Sequence, residues 1–83
     1  MTPEEIKKMI EAGIEGAEVA VDGDGSHFAA RVVSDAFEGL SMVKQHQMVY
    51  ATLGDSMSGA IHALSIQSYT PAEWERASKL QVM

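Results

Sequence analysis

Three histidines, His27, His46 and His62, are the residues of this chain best suited to chemistry, and no cysteine accompanies them. Imidazole titrates near neutrality and ligates metals, so two converging histidines could move a proton or hold a metal centre. His27 closes the run Asp22-Gly23-Asp24-Gly25-Ser26-His27-Phe28, which adds two carboxylates and a hydroxyl. An EF-hand loop starting at Asp22 would need glycine at its sixth position and a bidentate carboxylate at its twelfth. His27 and Val33 stand there instead, so calcium is excluded. A dinucleotide loop needs a third glycine and a helix directly after it. Here alternation of Phe28, Ala30 and Val32 with other residues predicts a strand. The run therefore reads as a hairpin turn whose glycines supply positive φ, with His27 at its exit pointing opposite to Phe28.

His46 falls in a helical apolar stripe and reads as a buried or half-buried, hydrogen-bonded structural histidine. His62 opens the last strand on the side of Leu64 and Ile66, where capping the sheet and ligating a metal both remain open. Ser26 points away from His27, and no nucleophile–base–orienter set or H-E-x-x-H motif occurs. The chain is not expected to be an enzyme.

These residues must be positioned by few elements. Thr2-Pro3-Glu4-Glu5 and Thr70-Pro71-Ala72-Glu73 each place Thr at a helix N-cap, Pro in the first turn and Glu three residues on. The first helix is predicted to end near Ala12 with Gly13 as its stop. The last is predicted to be short and anchored to the core by Trp74. Val19 and Val21 form a strand before the turn. From Leu40 to Leu53 the period becomes helical, with Met42, His46, Val49 and Leu53 inward and Lys44, Gln47 and Met48 toward solvent. Gly54 to Gly59 breaks that helix or starts a second short one, and Ala60 to Tyr69 reads as the final strand. The expected class is α+β, in the order α-β-β-α-(α)-β-α, with helices layered on a three-stranded mixed sheet.

The 83 residues allow one domain, 1–83, burying about 60% of its unfolded surface. The absence of cysteine removes disulfides and thiolate-only metal sites. A net charge of −6 argues against binding driven by phosphate neutralisation. The acidic, amphipathic start and the lack of an apolar run near 18 residues point to a soluble, cytoplasmic protein that does not span a membrane.

The stretches Phe37-Glu38-Gly39, Gln45-His46-Gln47-Met48-Val49-Tyr50, Ile61-His62-Ala63-Leu64 and Tyr69-Thr70-Pro71-Ala72-Glu73-Trp74 resemble the BolA family, and the short loop resembles its IbaG-type branch. The likeness spans nearly the whole chain. It implies the topology of a type II KH domain and a partner, a monothiol CGFS-type glutaredoxin. With that partner and glutathione, such proteins share a bridging 2Fe-2S cluster in iron–sulfur trafficking or in iron and stress regulation. The isolated chain is then expected to hold no cofactor. The family's histidine before the last strand is matched by His62, and His27 is the candidate for its loop ligand. An alternative implied by the family is transcriptional regulation through DNA, read by Lys44, Gln47 and Met48 on the central helix. Gly54-Asp55-Ser56-Met57 lacks the GxxG phosphate clamp, and Asp55 repels phosphate. A homodimer is also among the expectations, through Met48 or the C-terminal Leu80-Gln81-Val82-Met83.

Overall fold

The computed structural model describes residues 2–24, 27–54 and 64–81. Both expected capping boxes open helices. In α1 (Pro3–Gly13) Glu5 N donates to Thr2 Oγ1 at 3.2 Å, and Thr2 N donates to Glu5 Oε1 at 3.1 Å. In α3 (Pro71–Gln81) Thr70 N donates to Glu73 Oε1 at 2.9 Å, and Glu73 N to Thr70 Oγ1 at 3.2 Å. At 11 residues α3 is as long as α1 rather than short.

Between them β1 (Glu18–Gly23) and β2 (Phe28–Val33) pair antiparallel, with Val19 opposite Val32, Val21 opposite Ala30 and Gly23 opposite Phe28. A 3-10 turn (Asp35–Phe37), capped by Ser34, leads to α2 (Met42–Leu53). Ser41 caps α2, accepting from Lys44 N, so this helix starts two residues later than its periodicity predicts. The final strand β3 (Leu64–Tyr69) runs parallel to β2, giving a mixed sheet in the order β1-β2-β3. The second short helix expected at 54–59, and residues 60–63 of the expected last strand, lie outside the described residues apart from Gly54.

One face of the sheet carries Val19, Phe28, Ala30, Val32 and Leu64. It packs against Ile6, Ile10 and Ile14 from α1 and just beyond it, Val49 and Leu53 of α2, and Phe37. On the opposite face the Arg31 guanidinium lies over the Trp74 ring, 4.2 Å from its centroid, and Tyr69 is 5.4 Å from that ring. Trp74 therefore anchors α3 on the outer face through cation–π and aromatic contact, and not in the core as its sequence context predicts. Glu73 supports the same end. Its hydrogen bonds from Thr70, first the backbone and then the hydroxyl, hold its carboxyl below the ordinary 4.5. Because the folded value is depressed, this support is complete above the ordinary value and lost as pH falls through the lowered one. Acidification should therefore fray the first turn of α3 and shift the fluorescence of the chain's single tryptophan. Thr70→Val should move that transition to higher pH.

Two glycines have roles that the pattern misassigned. Gly13 is still helical, and the left-handed backbone after α1 falls at Gly16, φ 70°. Gly13 matters because a Cβ there would overlap the side chain of Thr52, so it lets α1 and α2 approach closely. Gly23 likewise is not at positive φ. A Cβ on it would sit 2.5 Å from Phe28 Cδ1 and 2.8 Å from the His27 carbonyl oxygen. The ring of Phe28 lies across Gly23, and Gly23→Ala should cost about 1–3 kcal/mol of stability in urea unfolding.

Candidate functional site

The hairpin end positions the first candidate ligand. Asp24 N donates to the His27 carbonyl at 3.2 Å, and His27 N donates to Asp24 Oδ1 at 2.9 Å. The Asp24 carboxylate is thereby engaged as a turn cap, which accounts structurally for one of the two aspartates in the loop. With the backbone of His27 fixed and Phe28 buried at 6% exposure, alternation turns the imidazole outward, and His27 is exposed as the sequence predicts. It borders an open hollow of about 470 Å³ lined by Asp22, Gly23, Asp24, Phe28, Ala29 and Ser65.

The second candidate, His62, lies outside the described residues. It precedes Leu64 by two residues in the chain, and Leu64 is the register partner of Phe28, which directly follows His27. The two candidate ligands therefore precede paired strand starts. Among the described residues, no group of three or more His, Asp or Glu is placed to hold a metal ion.

His46 is not in the centre of the inward stripe. The buried residues of α2 are Gln45, Val49 and Leu53, while Met42 is 59% exposed and His46 is only half-buried at the edge. The polar residue that the core accepts is Gln45. Its amide nitrogen donates to Leu40 O at 3.0 Å and Phe37 O at 3.4 Å, and its oxygen accepts from Ser68 Oγ at 2.7 Å. His46 Nε2 is buried with no hydrogen-bond partner among the described residues. The imidazole lines an apolar hollow with Met42, Ile66, Gln67, Ser68 and Tyr69. The histidine is thus half-buried as the periodicity predicts, but among the described residues its Nε2 lacks the hydrogen bond expected of it.

The expected DNA-reading trio is split. Lys44 and Gln47 are exposed, whereas Met48 is half-buried and packs on the core. Lys44 is the only Lys or Arg on α2. Of the C-terminal run proposed for association, Val82 and Met83 lie outside the described residues. No helix among the described residues is long and apolar enough to cross a membrane. Arg31 was not singled out by sequence patterning. Its place opposite Ala20 on the outward side of β2 is the signal that could have paired it with Trp74.

The family model described as BolA-like protein matches residues 6–73. The chain is 44% identical over 81 residues to the acid stress protein IbaG of Escherichia coli K12, covering 96% of each chain. A solved bolA protein homologue from Coxiella burnetii superimposes with a TM-score of 0.80 at 43% identity, covering 90% of this chain and 97% of that one. The BolA domain of SufE1 from Arabidopsis thaliana gives 0.72 at 36% identity, covering 86% and 93%. None of these likenesses indicates a catalytic family.

Proposed function

The chain belongs to the BolA family, and from that premise we propose that it is a non-enzymatic module that binds a monothiol CGFS-type glutaredoxin and shares a 2Fe-2S cluster with it. The observation that carries the reading is the pairing of Phe28 with Leu64, which joins the strand after His27 to the strand that His62 precedes in the chain. The donor chemistry fits. The chain offers imidazole but no thiolate, so it would complete a cluster whose other ligands, a glutaredoxin cysteine and glutathione, come from the partner.

In this reading His62 is the principal ligand and His27 the second. A bound cluster would supply one-electron redox chemistry, at a potential raised by neutral imidazole in place of thiolate. The chain's own part is to present the imidazoles. Asp24 fixes the backbone of His27, and the buried Phe28 keeps the ring turned outward. Since imidazole protonates near neutrality, release of the cluster should be favoured by acid. The iron–sulfur setting is supported by the occurrence of a BolA domain within SufE1. The name of IbaG supports a role in acid stress. Such work would take place in the cytoplasm.

The test is reconstitution. The protein, a CGFS-type glutaredoxin, glutathione, iron and sulfide are mixed, and visible circular dichroism is recorded. The reading predicts a spectrum distinct from that of glutaredoxin alone; an identical spectrum would reject it.

A further inference from the structure

The charges of this chain are unevenly placed. It carries 12 acidic residues, yet none lies in α2 or β3, whose only Lys or Arg is Lys44. These two elements pack together at one side of the sheet. Neither element contributes a carboxylate to its side of a molecule of net charge −6.

The same face holds the features that invite association. β3 is an edge strand, and among the described residues nothing pairs with its outer side. Its sequence Leu-Ser-Ile-Gln-Ser-Tyr contains no charge and no proline, the devices that usually blunt an edge. The opposite edge, β1, carries Glu18 and Asp22. Beside β3, the first turn of α2 exposes Met42 to 59% and Val43 to 65%. Between them an apolar hollow of about 310 Å³ opens over Ile66 and Tyr69.

We infer that β3 and the first turn of α2 form a self-association face, where two copies pair antiparallel, edge to edge, about a twofold axis. Charge selects the occupant. Two identical molecules of net charge −6 repel through their carboxylates, and α2 and β3 bring none of their own to the contact, Glu73 at the end of β3 being held by Thr70. A twofold makes the contact isologous, so each copy's Met42 and Val43 extend the other's apolar patch and the sheet grows to six strands. The contact is small, below about 1,200 Å² in total, so the dimer is transient and forms in the upper micromolar range. This goes beyond the shared-cluster reading and needs neither glutaredoxin nor iron.

Sedimentation equilibrium of the isolated chain, from about 10 µM to about 1 mM, tests it. The weight-average mass should rise from 8.9 kDa toward twice that value. Added salt should strengthen association by screening the net charge, the opposite of a charge-driven contact. Concentration-dependent amide shifts should fall on Leu64–Tyr69 and Met42–Val43. Met42→Glu and Val43→Glu, at exposed positions, should remain monomeric throughout while melting like the parent. A parent that is monomeric at 1 mM in high salt, variants that associate like the parent, or shifts that map to β1 would each overturn the inference.

Discussion

Phe37→Ala should cost about 3–5 kcal/mol, the largest loss expected from any single truncation in this chain. A domain of 83 residues has only about 4–12 kcal/mol in hand, so much of the population should be unfolded or easily unfolded near room temperature. Phe37 is 0% exposed and belongs to the core cluster with Ile6, Ile10, Val32 and Val49. It ends the 3-10 turn, whose start is fixed by Ser34. The Ser34 hydroxyl donates to Glu15 O at 3.2 Å and accepts from Ala36 N at 3.1 Å. The ring thus enters the core from a rigid corner, and neighbouring elements cannot close over the space left by alanine. Urea unfolding with Phe37→Leu as control checks this, since Leu should recover more than half of the loss.

Gln45→Ala should cost about 2–4 kcal/mol although it removes a polar side chain. Gln45 is 6% exposed, and its amide joins the carbonyls of Phe37 and Leu40 to the Ser68 hydroxyl on β3. Truncation takes one partner from the Phe37 and Leu40 carbonyls and from the Ser68 hydroxyl, and leaves a gap in the core; Phe37 O keeps the Leu40 amide and Ser68 Oγ keeps only the weak Met42 Sδ contact. The double variant Gln45→Leu with Ser68→Ala should be more stable than Gln45→Ala, because it refills the volume and removes one stranded group. Equal stabilities would show that the network carries no energy.

These two residues also show what the sequence could and could not reveal. Phe37 and Gln45 both lie in stretches that carried the family resemblance, yet their work is structural. The helix starts were legible because Thr, Pro and Glu at fixed offsets have one local solution. The hairpin was legible because alternation fixes which side chains face inward, and the same rule placed Phe28 inside and His27 outside. The inward face of α2 was not. Met42 and His46 continue the spacing of Val49 and Leu53, but they fall at the edge of the sheet, where Met42 stays exposed. Gln45 looks like a surface residue until its partners, eight residues back and 23 residues ahead, are brought around it by the fold. Gly23 was assigned to a turn conformation, whereas its reason is the ring of Phe28 packed across the strand pair. The candidate site was legible in part. His27 and the start of β3 could be placed relative to one another, and His62 falls outside the described residues.

The claim on which the account rests is that imidazole from this chain ligates the shared cluster, and electron spin-echo spectroscopy of the reduced complex tests it most directly. The complex with glutaredoxin should show nitrogen hyperfine coupling that glutaredoxin's own cluster lacks. His62→Ala should abolish the strong coupling while leaving the circular dichroism of the apo chain unchanged, and His27→Ala should reduce it further or remove a second component. A complex without nitrogen coupling, or one whose coupling survives His62→Ala intact, would contradict the account.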